Sequence, residues 1–291
     1  MKKIIPILFV LLCFSLQSLF SLDVTTLVHG GNITFDKDST ALQTSLSGTD
    51  YYYGLSIFGT QEIDDNITLH AGFKYDPVLR YTTYTRVEFS RDFYQIAIGP
   101  FFGIFNSWNP IMKSGISTSI RFDYPGVAFA SFRSDSSIAA RFTKSGDYMQ
   151  EHNQLSAGYY IPHAICSLNL TTKRYVTQQT ETLEVDDSFT EYSFDIDIFQ
   201  KNVPVRVLLS FAYQQLERIY SAGGTDTENQ LNSLVFGTRF RIDVSPRMTL
   251  LTEIDSSVYS FGTAGTDSLS IPSSGIGMYL FRAELGAEIS F

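Results

Sequence analysis

GMYLFRAELGAEISF, residues 277–291, decides the fold. Read at every second position it gives Tyr279, Phe281, Ala283, Leu285, Ala287, Ile289 and Phe291. Between them stand Arg282, Glu284, Gly286, Glu288 and Ser290. A β-strand sends successive side chains to opposite faces, so this segment has one apolar face ending in an aromatic residue and one charged face. A soluble sheet covers its apolar face with other elements. A membrane barrel turns that face toward lipid and keeps the polar face for a wet lumen. With no helix following to cover the apolar side, lipid is its expected neighbour.

This ending resembles the closing strand of bacterial outer-membrane β-barrels, whose terminal Phe and alternating apolar residues are read by the barrel assembly machinery. The resemblance implies that Phe291, Ile289, Ala287 and Leu285 form an insertion signal, with that machinery and outer-membrane lipid as partners. The start of the chain agrees. Lys2 and Lys3 precede an apolar run over residues 4–14, broken only by Pro6, and residues 15–21 are Ser-rich. This is the layout of a secretory signal peptide. The run is roughly half the ~20 residues of a spanning helix. The expected division is a signal peptide over residues 1–21 and a transmembrane barrel over residues 22–291. Leu11-Leu12 before Cys13 lacks the small residue of a lipidation site.

A mature chain of about 270 residues is within one-domain range for a barrel. The net charge is −9, and loss of Lys2 and Lys3 with the leader makes it more negative. An acidic chain excludes nucleic acid as a partner. Without Cys13, Cys166 is the one cysteine left, so neither an intramolecular disulfide nor a thiolate metal site is expected. No phosphate loop, dinucleotide fingerprint or His/Cys metal spacing occurs, and no cofactor is expected.

Period-two alternation recurs along the chain and predicts an all-β, antiparallel up-and-down transmembrane barrel of about fourteen strands. Clear outward sets are Ile67, Leu69, Ala71, Phe73 and Tyr75; Tyr94, Ile96, Ile98 and Phe102; Val205, Val207, Leu209, Phe211 and Tyr213. The first strand is expected over residues 24–35. Residues 127–143 read either as one tall strand or as a hairpin turning at Asp135-Ser136-Ser137. Short turns are expected at Asp64-Asp65-Asn66, Ser90-Arg91-Asp92, Tyr124-Pro125-Gly126, Pro162-His163, Lys201-Asn202 and Ser245-Pro246-Arg247. Longer loops are expected over residues 37–50, 105–110, 144–150, 177–187, 220–229 and 262–273. Tight turns on one rim and long loops on the other are the outer-membrane pattern, and an even strand number places both termini in the periplasm.

The positions between the outward ones are the candidate pore lining. In the earlier strands they include Lys74, Arg80, Arg86, Arg121, Arg133, Arg141 and Lys173, against few acids. In the later strands they include Asp195, Asp197, Glu253, Asp255 and Glu284, with Arg239, Arg241 and Arg282. A basic arc facing an acidic arc would set a transverse field across a wet lumen. The alternative is a filled barrel in which these charges only satisfy one another. The remaining acids, Glu184 to Asp187 among them, are expected in solvated loops.

Barrel enzymes exist, and their chemistry is not found. Asp195 and Asp197 lie low in their strand, there is no Asp-x-His, and His152 with Ser156 makes no triad. The chain is expected not to be an enzyme. In strand number and loop layout it resembles the monomeric fourteen-stranded porins of the outer-membrane porin G type. No motif of that family is matched and no residue is carried over. The resemblance implies passive diffusion of small polar solutes. The alternatives are a transporter of fatty acids or other hydrophobic solutes, and a surface-binding barrel that uses its acidic loops.

Overall fold

The structure is a computed structural model that describes residues 22–31, 52–76, 80–106, 110–137, 148–180, 183–200, 202–264 and 281–291. Its strands are β1 (Leu22–Gly31), β2 (Tyr52–Asp64), β3 (Ile67–Asp76), β4 (Arg80–Arg91), β5 (Tyr94–Asn106), β6 (Pro110–Tyr124) and β7 (Ala128–Ser137). They continue as β8 (Tyr148–Ile161), β9 (Ala164–Thr180), β10 (Leu183–Phe199), β11 (Val205–Ala222), β12 (Thr225–Ser245), β13 (Met248–Ala264) and β14 (Phe281–Ser290). Each pairs antiparallel with its sequence neighbours, and β1 pairs with β14 to close the barrel. Closure leaves no sheet edge, which is what a sheet surrounded by hydrocarbon requires. At the seam the Phe291 amide donates to the Leu22 carbonyl at 3.0 Å.

The fourteen expected strands are present, with three differences in extent. The first strand starts at Leu22, and its described part ends at Gly31 rather than residue 35. Residues 128–137 form one strand, in register with both β6 and β8, so Asp135-Ser136-Ser137 is not a turn. The expected loops over residues 177–187 and 220–229 are largely strand: β9 runs to Thr180, β10 begins at Leu183, and β11 and β12 meet at a Gly223–Gly224 turn. Both glycines have positive φ, 58° and 84°, as a two-residue hairpin loop demands. Of the acids expected in loops, Glu184, Asp186 and Asp187 therefore sit on β10, and Asp226 and Glu228 on β12, while Asp36, Asp38, Asp50, Asp147, Glu181 and Asp267 lie outside the described residues. Glu184 is exposed on β10, Asp186 pairs with Arg174 at 2.7 Å, and Asp187 is buried.

The outer wall explains these extensions. Leu170, Tyr192, Tyr213 and Leu234 are mutually registered on β9 to β12 and face outward. One step up on the same face the row is Thr172, Thr190, Gln215 and Asn232, and the next is Arg174, Ser188, Glu217 and Gln230. The change from apolar to polar falls within one row, and the Tyr213 hydroxyl spans it by donating to Asn232 Oδ1 at 2.8 Å. Below it the belt is apolar and bare, with Leu168 67% and Leu285 66% exposed. Each such side chain forgoes ~1.5–3 kcal/mol if it faces water instead of an apolar medium, so a continuous belt of them requires lipid. Above the change, β9 to β12 continue for about eight residues. At ~3.3 Å per residue and a tilt near 40°, they stand on the order of 20 Å beyond the lipid.

Candidate pore

The lumen is filled unevenly. On the side of β2 to β8, inward positions carry Phe58, Tyr84, Phe101, Phe129 and Tyr160, and Phe101 is only 2% exposed. Their rings lie against the wall because the neighbouring inward positions are glycines. A Cβ at Gly72 would collide with the Tyr84 ring, and one at Gly115 with the Phe101 ring. Phe58 contacts Tyr84 with centroids 5.9 Å apart, and Phe129 contacts Tyr160 at 6.0 Å. The Arg121 guanidinium lies 4.4 Å from the Phe129 ring centre and donates to Asp123 at 2.6 Å; the Tyr160 hydroxyl donates to the same carboxylate at 2.8 Å. This sector is a packed aromatic and ionic wall.

The opposite sector, β8 to β14, holds two cavities, above which the inward residues Tyr175, Asp187, Phe189 and Leu216 are buried. A cavity of about 390 Å³ is lined by Leu27, Asp197, Arg206, Arg241 and Glu284 among others. A second, of about 280 Å³, is lined by Lys173, Glu191, Asp195, Asp255 and Arg282 among others. Leu208, Arg239 and Glu253 line both, so the two adjoin along one wall. Together they carry six carboxylates (Glu191, Asp195, Asp197, Glu253, Asp255, Glu284) and five cations (Lys173, Arg206, Arg239, Arg241, Arg282).

Most of these charges are neutralised by a neighbour on the same arc rather than across the lumen. Arg239 Nε donates to Glu253 at 2.5 Å, and Arg282 donates to Glu253 at 2.8 Å and contacts Asp255 at 2.7 Å. Arg206 clamps Asp197 through two nitrogens, and Arg241 reaches Glu288 at 3.0 Å. On the earlier arc, Arg133 contacts Asp135 at 3.2 Å, and Glu88 accepts from His70 at 3.2 Å when that ring nitrogen carries the proton. This pairing within each arc works against the transverse field expected from two opposed walls of charge.

Lys74, Arg86, Arg121, Arg133, Lys173, Asp195, Asp197, Arg239, Arg241, Glu253, Asp255, Arg282 and Glu284 all occupy inward register positions. Arg80 stands in β4 opposite Asp76, and Arg141 lies outside the described residues. Leu285, Ala287 and Ile289 alternate outward on β14, and Phe291 is exposed. His152 and Ser156 both point inward, away from lipid. Asp195 accepts from Asn169 at 2.9 Å and from Ser210 at 2.7 Å, a structural role. No cluster of metal-ligating side chains occurs among the described residues. Collecting only charged residues missed the neutral lining, Gln154, Asn169, Thr171, Ser193, Ser210 and Gln214. Lys113, a charged side chain 1% exposed at an inward position of β6, was missed as well. Their inward parity in the alternation is the signal that marks them.

A closed fourteen-stranded antiparallel barrel with an apolar outer belt and a charged lumen is the architecture of a membrane-spanning β-barrel. Among solved structures, the chain is similar to an outer membrane channel from Pseudomonas putida F1, with 10% identity, a TM-score of 0.47, and 94% of this chain and 95% of that one covered. OmpT, an outer membrane protein of Vibrio cholerae, aligns at 9% identity and a TM-score of 0.41, covering 94% and 96%. An anion-selective porin from Comamonas acidovorans aligns at 10% identity and a TM-score of 0.38, covering 94% and 98%. No protein-family model and no curated protein sequence matches the chain.

Proposed function

We propose that this barrel is an outer-membrane channel for the passive diffusion of small hydrophilic solutes. The observation that carries this reading is the pair of adjoining cavities along the β8 to β14 wall, lined by charged and hydrogen-bonding groups. Fourteen strands lie between small barrels filled by their own side chains and the 16–18-stranded porins with wide channels. The flattened rings over Gly72 and Gly115 keep side-chain bulk off the axis. A polar, nearly charge-balanced lining suits hydrated solutes and offers little to a fatty acid.

In this reading the protein is not a catalyst, and solutes, lipid and the assembly machinery are its partners. Both termini lie in the periplasm, and the polar tops of β9 to β12 rise from the outer leaflet. An epitope inserted between Gly223 and Gly224 should be reachable by antibody on intact cells, whereas one at Asp65 or Pro246 should be reached only after the outer membrane is opened. Labelling of the Asp65 epitope on intact cells would reverse the orientation. Channel activity is tested by ion current through the purified protein in a planar bilayer.

A further inference from the structure

We propose that Arg86 and Arg133 form an oxyanion-binding site inside the lumen, which takes the carboxylate or phosphate group of a passing solute. This rests on the channel reading for access from solution. The site is built on one lateral row of inward positions: His70, Arg86, Gly99, Ser117, Asp135 and His152, on β3 to β8. Neighbouring strands are ~4.8 Å apart, so Arg86 and Asp135 are three spacings from each other. Gly99 and Ser117 keep the wall low between them. Arg133 precedes Asp135 by two residues on the same face, opposite Gln154, which lines the second cavity.

Two observations point to an anion as the ligand. The Nε atoms of Arg86 and Arg133 are buried and have no hydrogen-bond partner. A buried N–H without an acceptor costs free energy that a bound oxygen would recover. The carboxylates at hand are also already committed. Asp135 accepts from Ser117 and from Arg133 Nη2, and Glu88 is bonded to His70 and to Ser90. Arg86 lies over the Tyr84 ring with its guanidinium carbon 5.2 Å from the centroid, and the two carboxylates whose field it feels, Asp135 and Glu88, are hydrogen-bonded to other groups.

The two guanidinium groups repel each other, which a shared anion would reverse. The Arg133 side chain is 40% exposed to the lumen, so a solute can reach it. Guanidinium groups present planar, paired donors that match carboxylate and phosphate oxygens. The structure supplies the donors and the charge, and the solute supplies the acceptor.

The test uses the full mature chain folded in detergent and in planar bilayers, with inorganic phosphate and acetate as probes against chloride of equal ionic strength. Either oxyanion should raise the unfolding temperature and reduce the single-channel current in a saturable way. The double variant Arg86→Gln/Arg133→Gln should need about tenfold more oxyanion or worse for either effect. The single variant Arg133→Gln gives an intermediate response if the double variant fails to fold. Arg174→Gln, on the outer face, should respond as the parent does. A conducting parent insensitive to both oxyanions, or variants as sensitive as the parent, would overturn the site while leaving the channel in place. A non-conducting parent that both oxyanions stabilise would overturn the channel and leave the site.

Discussion

Leu209→Arg should prevent accumulation of folded barrel, and Leu208→Arg should not. The two residues are adjacent and carry the same side chain, so composition and helix or strand propensity are held constant. Leu209 belongs to the outward set Val205, Val207, Leu209, Phe211 and Tyr213, and stands third of five, near the middle of the belt. Leu208 faces inward and lines both cavities. Arg at the lipid midplane of a barrel costs ~2–4 kcal/mol, falling toward zero at the interfaces. Arg in a wet lumen keeps its hydration, and at Leu208 it stands between Asp197 on one neighbouring strand and Arg239 on the other, so attraction and repulsion roughly offset. Denaturant titration of the protein refolded into liposomes should show the loss for Leu209→Arg alone. Equal loss for both variants would mean that the inward sector is dry, and loss for Leu208→Arg alone would mean that the facing is inverted.

Glu253→Gln should shift ion selectivity toward anions more than loss of any other single carboxylate. Glu253 is 7% exposed and bridges Arg239 and Arg282 where the two cavities meet. Its neutralisation leaves five carboxylates against five cations along the path and strands Arg239. Arg282 keeps Asp255 at 2.7 Å. Breaking a fully buried pair costs ~3–5 kcal/mol, an upper bound here because the Arg239 side chain is 50% exposed to the lumen. Confined charges are screened less than surface ones, so the change should persist in moderate salt. The reversal potential across a potassium chloride gradient reports it. An unchanged reversal potential in the folded variant would place the current somewhere other than along this wall.

The barrel was legible because the membrane imposes contrast. Where one face meets lipid and the other water, as in residues 205–213, every second residue declares its side. Above the lipid the outer face of β9 to β12 turns polar, so Arg174, Asp186, Ser188 and Glu217 look like loop residues, although the inner face there stays buried at Tyr175, Phe189 and Leu216. The hairpin there is marked only by Gly223–Gly224, whose left-handed backbone a turn of that length requires. The inward charges were legible by parity, and same-strand pairs such as Arg121 with Asp123 follow from a spacing of two. Cross-strand pairs do not follow from spacing. Glu253 meets Arg239 only through the β12–β13 register, which shifts between Leu234 and Val235. The uneven filling of the lumen was hidden for a related reason. It depends on which large ring stands beside which glycine, as Tyr84 does beside Gly72, and that is again a matter of register.

The central claim is that the sector between β8 and β14 is a continuous aqueous path. It is tested most directly by recording current across a planar bilayer containing the purified protein. The account predicts discrete, ohmic openings whose size falls when Leu208, shared by both cavities, is replaced by Trp. A well-folded protein that passes no current, or a conductance indifferent to Leu208→Trp, would contradict it.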